Sequence, residues 1–303
     1  MGIKKFKKWD NWVDYASNPV IKSEPPEWVI ADPTFIPPNE SPDGRWHLFA
    51  HVILFGINHY ISRDGLKWIS IKKRIESGLR PFLYKEEDDY YLFYEKLFTI
   101  LRGVIVFRKS KDLINWTEPK MILNPTLTWE REGSQRVGNP CLMKIDDKYR
   151  LYYSSGSVFL WDVMVPEPKY IGLAEAKTIR GPYKKKTDPI ISPSKKHIYR
   201  NLGAGAIKVL KVGLDWIGFN NGIYRDRFRR SRSSILLLHS TDGIEWKDIF
   251  KRPIIYPTKG WKRALVYQLD VRKVGQKYWL FYNARNGWIL GREQIGLAVL
   301  DPK

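Results

Sequence analysis

The chain has 303 residues, 43% of them hydrophobic and 14% aromatic, and its 52 Lys and Arg outnumber 32 Asp and Glu to leave a formal net charge of +20. This much apolar material can bury a large core in a single domain spanning 1–303, while no apolar run reaches membrane-spanning length and KKFKKWDNW (4–12) leads into polar residues rather than a signal-type apolar segment. One cysteine, Cys141, excludes an internal disulfide and fits a reducing, cytoplasmic setting.

Taken in chain order, the sequence repeats itself five times. An aromatic strand recurs as WHLFAH (46–51), YYLFYE (90–95), YRLYYS (149–154), DWIGFN (215–220) and YWLFYN (278–283). Each copy follows an apolar segment and precedes a third element: ISRDGLKW (61–68), RKSKDLINW (108–116), IGLAEAKTIRGPY (171–183), LLHSTDGIEW (237–246) and IGLAVLD (295–301). Repeats of this size cannot bury their own hydrophobic face and must stack on neighbours, and short strands rich in Tyr, Trp and Phe predict an all-β, five-bladed β-propeller. Arg80 to Tyr90, Asn139 to Tyr149, Gly205 to Asp215 and Gln268 to Tyr278 share a spacing of ten residues, so the first two strands keep one register; PPNESPDG (37–44) lengthens the loop in the first repeat.

Asp32-Pro33, Arg80-Pro81 and Asn139-Pro140 put proline at one position of three first strands. Proline cannot donate to a ladder, so these strands are expected at blade edges facing a central channel. The outer strands PKMILNP (119–125), DPIISP (188–193) and RPIIYP (252–257) have no counterpart after the last repeat. Trp12 followed by NPVI (18–21) resembles the spacing of Trp116 to MILNP and of Trp246 to RPIIYP, so residues 9–21, within a clasp segment of 1–27, are predicted to complete the last blade and close the ring.

The shared register also predicts a site. Strand-one starts (Asp32, Arg80, Asn139, Gly205, Gln268) and strand-two ends (His51, Glu95, Ser154, Asn220, Asn283) are expected at one channel mouth. Two carboxylates flanking one bond are what glycosidic cleavage requires, one as acid and the other as base or nucleophile. Asp32 and Glu95 fit that need. Asp32 is held extended by the following proline, with a turn or cap aspartate as its plain alternative; Glu95 could instead be an ion-pair partner of Lys96, Arg80 or Arg102. His51, Asn139, Asn220, Gln268 and Asn283 are candidate substrate-binding groups, and Arg80, Arg136 and Arg285 could clamp a phosphate or a sugar carboxylate.

The IADPTFI start (30–36), the aromatic second strands and the S-x-D-G-x-x-W turns (Ser62 to Trp68, Ser240 to Trp246) resemble the five-bladed propeller glycosidases, nearest glycoside hydrolase family 43 with its arabinanase, xylosidase and invertase-like relatives. The resemblance spans essentially the whole chain and specifies fold better than substrate. It implies a carbohydrate-cleaving enzyme with Asp32 as base or nucleophile; separately, nothing in the residues calls for an organic cofactor, and none is expected. It also implies an Asp on the blade-two inner strand and an acid Glu on the blade-three inner strand. Here those stretches read Leu79-Arg80-Pro81-Phe82 and Val137-Gly138-Asn139-Pro140, without a carboxylate. Glu95, Glu132 in the REGSQR loop (131–136) and Asp270 therefore compete for the acid role, against a solvated loop residue for Glu132 and a buried ladder partner for Asp270.

Scarce acids keep a second enzyme in play, since the related family 130 phosphorylases use phosphate in place of water. A lectin-like propeller, with Trp161, Tyr224, Trp261 or Trp288 stacking on sugar, is the non-enzymatic alternative. The charge attracts anions or reflects a surface adapted to heat or salt; the clusters at 4–8, 184–186, 195–196 and 225–232 show no nucleic-acid-binding module, and no membrane partner is expected. His47, His51, His59, His197 and His239 lack metal-ligand spacing, and no metal is expected.

Overall fold

The computed structural model describes residues 4–75 and 78–302. Apart from 3-10 turns at Lys4–Asp10, Trp129–Arg131 and Gly260–Lys262, its regular structure is β. After β1 (Val13–Asp14) come five antiparallel meanders. They comprise β2 (Ile30–Ile36), β3 (Trp46–Val52), β4 (Gly56–Ser62) and β5 (Ile69–Ile75); β6 (Gly78–Glu86), β7 (Asp89–Thr99), β8 (Arg102–Ser110) and β9 (Lys120–Leu123); and β10 (Gln135–Ile145), β11 (Lys148–Leu160), β12 (Val165–Ala176) and β13 (Lys184–Lys185). The fourth holds β14 (Ile207–Val212), β15 (Asp215–Arg225), β16 (Ser231–Ser240) and β17 (Lys247–Asp248), and the fifth β18 (Leu265–Val274), β19 (Lys277–Arg285) and β20 (Glu293–Leu300).

The fifth meander takes its outer strand from β1, with Val13 opposite Val299 and Asp14 opposite Ala298. The segment is anchored beyond those two pairs. Asn18 Nδ2 donates to Leu297 O at 2.8 Å, and Val20 N donates to Ile295 O at 2.8 Å. Trp9 packs on Tyr278 with ring centroids 4.8 Å apart, and Phe6, Trp9 and Ile21 are buried.

The repeated turns have one chemistry. Ser62 Oγ accepts from Gly65 N and Asp64 Oδ1 from Leu66 N and Lys67 N, and the pairs Ser110–Asp112 and Ser240–Asp242 repeat the pattern. Such side-chain acceptors satisfy turn amides that no ladder reaches.

Each meander packs face to face on the next. Ile36, Phe49 and Ile57 of the first meet Leu83, Leu92 and Tyr94 of the second, and Ile217 and Phe219 of the fourth meet Leu280 and Tyr282 of the fifth. Phe281 and Leu297 of the fifth meet Phe35 and Leu48 of the first. First strands neighbour one another in the cyclic order β2, β6, β10, β14, β18 and back to β2. The Thr34 hydroxyl shows this convergence: it accepts from Leu83 N of β6 and donates to Asp270 of β18. One first strand is not a free edge throughout, because Gln135 and Arg136 of β10 pair in parallel with Arg102 and Gly103 of β8.

Candidate active site

The first strands carry a shared irregularity that aims side chains inward. Pairing skips two residues between Ala31 and Thr34, Leu79 and Phe82, and Gly138 and Cys141, and within each gap Asp32, Arg80 and Asn139 adopt φ of 51°, 54° and 49°. Left-handed non-glycine residues are uncommon, and bulges of this kind redirect a side chain at a functional edge. Gly205 has the same conformation in the fourth repeat, where an added Cβ would lie 1.9 Å from Asn221 O.

These residues open onto a cavity of about 910 Å³. Asp32, His51, Arg80, Arg136, Asn139, Gln268, Asn283 and Arg285 all line it. Asp32 is fixed from three sides: its N–H donates to Asn283 Oδ1 at 3.1 Å, its Oδ2 is 2.8 Å from His51 Nδ1, and Arg80 Nε is 4.0 Å away. Burial raises the Asp32 carboxyl, but His51, Arg80 and Lys208 outweigh it and hold the group below the ordinary aspartate range. Gln268 Nε2 donates to Asn139 Oδ1 at 2.7 Å, tying the fifth repeat to the third.

Four other candidates sit outside the cavity lining. Glu95 is fully buried behind it, taking Arg136 Nε on Oε1 at 2.6 Å and Arg80 Nη1 on Oε2 at 2.8 Å. Burial opposes its charge; the two guanidiniums prevail and keep its carboxyl low, so Glu95 positions the arginines and has no proton to lend at neutral pH. Glu132 lies on the surface, held by Lys169 and by the Tyr170 hydroxyl at 2.6 Å. Asp270 is buried among Thr34 Oγ1, Phe35 N and Arg272, where it serves strand packing. Asn220 is engaged with Ala204 O, Ala206 O and Arg200; its neighbour Asn221 lines the cavity instead, one position out of the expected register.

Two cavity carboxyls escaped the sequence reading. Glu167 is half-buried on β12, and its carboxyl makes no hydrogen bond or ion pair among the described residues. Desolvation pushes its carboxyl up to about 7, Glu293 and Asp32 add to the rise, and Arg80 opposes it. Glu293, at the start of β20, is also raised by burial, yet it is held by Asn283 Nδ2 at 3.0 Å and Arg285 Nη1 at 3.3 Å. The only signal for Glu167 was its place in VPEP (165–168), which carries no repeat register. Tyr267 was missed as well. Its hydroxyl, like Arg285 Nε, is buried without a partner among the described residues, and both side chains line the cavity. Unpaired buried polar atoms are costly unless a ligand completes them. No group of three or more His, Cys, Asp and Glu able to hold a metal occurs among the described residues.

One cavity thus gathers the carboxyls of Asp32, Glu167 and Glu293 and two buried polar atoms without a partner among the described residues. The family model described as glycosyl hydrolases family 43 matches residues 75–202. No curated protein matches the sequence. Among solved structures, a glycosyl hydrolase from Bacteroides ovatus superimposes with a TM-score of 0.69 at 14% identity, covering 96% of this chain and 93% of that one. The β-1,2-mannobiose phosphorylase from Listeria innocua gives 0.66 at 14% identity over 95% and 96%, and the α-L-arabinanase from Cellvibrio cellulosa gives 0.63 at 15% over 88% and 90%. The likeness to family 43 and its relatives therefore holds for a matched segment and for the fold as a whole.

Proposed function

We propose that the chain is a five-bladed β-propeller, clasped by its N-terminal strand, that cleaves a glycosidic bond in this cavity, with Asp32 as base or nucleophile and Glu167 as general acid. The observation that carries the reading is the opposite displacement of two carboxyls facing one cavity: Asp32 is held low and Glu167 is raised to about 7. Environments that push paired carboxyls apart set acid and base roles at neutral pH. Glu293 fits the acid role less well because Arg285 and Asn283 engage its oxygens. Asn139, Gln268, Asn283 and the unpaired Tyr267 hydroxyl supply polar groups for sugar hydroxyls.

The test is turnover of aryl glycosides by wild type, Asp32→Asn and Glu167→Gln. Asp32→Asn should abolish cleavage while leaving sugar binding largely intact. Glu167→Gln should fail on poor leaving groups yet retain activity on activated ones, which need little protonation. Full activity of Asp32→Asn on a substrate of the wild type overturns the assignment. Carbohydrate binding without turnover would make the cavity a recognition site.

Phosphate as acceptor is the second reading, favoured by Arg80, Arg136 and Arg285 lining one cavity and by the structural likeness to a mannobiose phosphorylase. Glu95 already neutralises part of the Arg80 and Arg136 charge, so water is the first choice. Activity that requires inorganic phosphate would reverse that choice.

A further inference from the structure

Five loops join second to third strands, at 53–55, 100–101, 161–164, 226–230 and 286–292, at the strand-two ends whose His51, Asn221 and Asn283 line the cavity; the first three loops add Leu54, Ile100 and Met164 to that lining. Every one of them holds a large apolar side chain out in solvent. Leu54 is 93% exposed, Ile100 71%, Trp161 72% and Leu290 89%, with Phe228 similarly bare. Soluble surfaces carry scattered apolar residues, but a ring around one opening marks an interaction face. The loops form a continuous rim on one side: Ser231 N donates to Asp162 Oδ2 at 2.7 Å and Trp288 Nε1 to Ser231 O at 2.9 Å, linking the third, fourth and fifth loops.

Backbone conformation sharpens the point. Leu54, Met164 and Leu290 have φ of 69°, 60° and 56°, where glycine or asparagine would be unstrained. Leu54 and Met164 reach the cavity lining, whereas Leu290, Phe228 and Trp161 do not and stand in solvent without a burial role. A contact made outside the chain accounts for those three.

Charge identifies the contact. The loops and the strand ends beside them carry Lys96, Arg102, Arg292 and the RDRFRR stretch (225–230), while the two acids within the loops are occupied internally: Asp162 takes the N–H and hydroxyl of Ser231, and Asp226 takes Phe228 N, Arg230 N and Arg232 Nε. Asp226 pairs with Arg232, which leaves Arg225, Arg227 and Arg229 without an ion pair among the described residues; Arg227 stacks over the Phe228 ring at 4.7 Å and Arg230 over Trp288 at 4.8 Å. Apolar tips beside the exposed arginines of the fourth loop match the boundary between headgroups and acyl chains of an anionic bilayer, where insertion and charge attraction add. Absence of a spanning segment does not bear on such surface contact, and no helix among the described residues could span.

We propose that the mouth face docks on an anionic lipid surface and that the glycoside entering the cavity is carried on a lipid of that membrane. Docking stands on the surface alone; the substrate class rests on the glycoside reading of the cavity. The test uses the full chain with phosphatidylcholine vesicles and with phosphatidylcholine–phosphatidylglycerol vesicles, in salt near about 0.15 M so that distant charge is screened. Co-sedimentation should be at least about tenfold stronger on the anionic vesicles, and the Phe228→Ser, Leu290→Ser double variant should lose at least about tenfold. No vesicle binding by the wild type, or equal binding by the variant, overturns docking. Self-association in ultracentrifugation that the variant abolishes, without vesicle binding, makes the face an interface between copies and equally overturns it. The variant should keep wild-type turnover of soluble aryl glycosides but lose turnover of a vesicle-borne glycolipid in parallel with binding; equal loss on both refutes the substrate class. Vesicle binding as expected, with no glycoside cleaved by the wild type, upholds docking and removes the glycoside reading.

Discussion

Glu95→Gln tests whether the cavity arginines are held by a buried charge. The carboxylate is enclosed: a Cβ on Gly138 would come within 2.3 Å of Oε2 and one on Gly103 within 2.9 Å of Oε1, so glycines make the space it occupies. Removing its charge leaves the Arg80 and Arg136 guanidiniums without their closest counter-ion. Breaking a buried pair costs about 3–5 kcal/mol. Arg136 keeps its bond to Ile100 O and Arg80 keeps Asp32 at 4.0 Å, which favours the lower end, about 3 kcal/mol. With an unfolding entropy of roughly 2.1 cal/mol/K per residue, a chain of this length loses roughly 5 °C of Tm for that change. The sign with pH follows from a depressed carboxyl: its contribution is present above the ordinary glutamate range and is lost as pH falls through the folded-state value. Calorimetry at neutral pH should therefore show the deficit, and the gap from wild type should narrow in acid. A fall of under about 1 °C at neutral pH would refute the reasoning, because an unpaired buried guanidinium cannot be that cheap.

The pH profile of kcat/KM should be bell-shaped, with its alkaline limb near 7 as Glu167 loses its proton and its acid limb below the ordinary aspartate range as Asp32 gains one; Glu167→Gln should erase the alkaline limb on an activated substrate. Removal of residues 1–22 strips the partner of β20 and the buried Phe6, Trp9 and Ile21, and Trp9→Ala alone should cost about 3–5 kcal/mol, so the truncated chain should melt well below wild type by circular dichroism. An unchanged melting curve would discard the clasp.

The strands of this protein were written in its sequence. Aromatic runs such as WHLFAH and DWIGFN, in repeats that close with Ser-x-Asp-Gly turns, are local patterns, and local hydrogen bonding at Ser62, Asp64, Ser240 and Asp242 realises the turns as read. The inward aim of Asp32, Arg80 and Asn139 was legible for a similar reason, since each precedes a proline in the same register. Pairing of the N-terminal strand with β20 was also foreshadowed, by the Trp12-to-NPVI spacing. What the sequence could not reveal was partnership between repeats. Glu95 shares its register with Asn283 and His51, yet two arginines, Arg80 of its own meander and Arg136 of the next, surround it and turn a candidate acid into a fixed counter-ion. Glu167 has no repeat register at all; it lies on the part of β12 that pairs with Val158 of β11 and lines the cavity, and its raised pKa comes first from burial there and then from Glu293 and Asp32 of other repeats. Local patterns set secondary structure because their hydrogen bonds are made within a few residues, whereas the charge state and exposure of a side chain are set by neighbours that only the packed tertiary structure supplies.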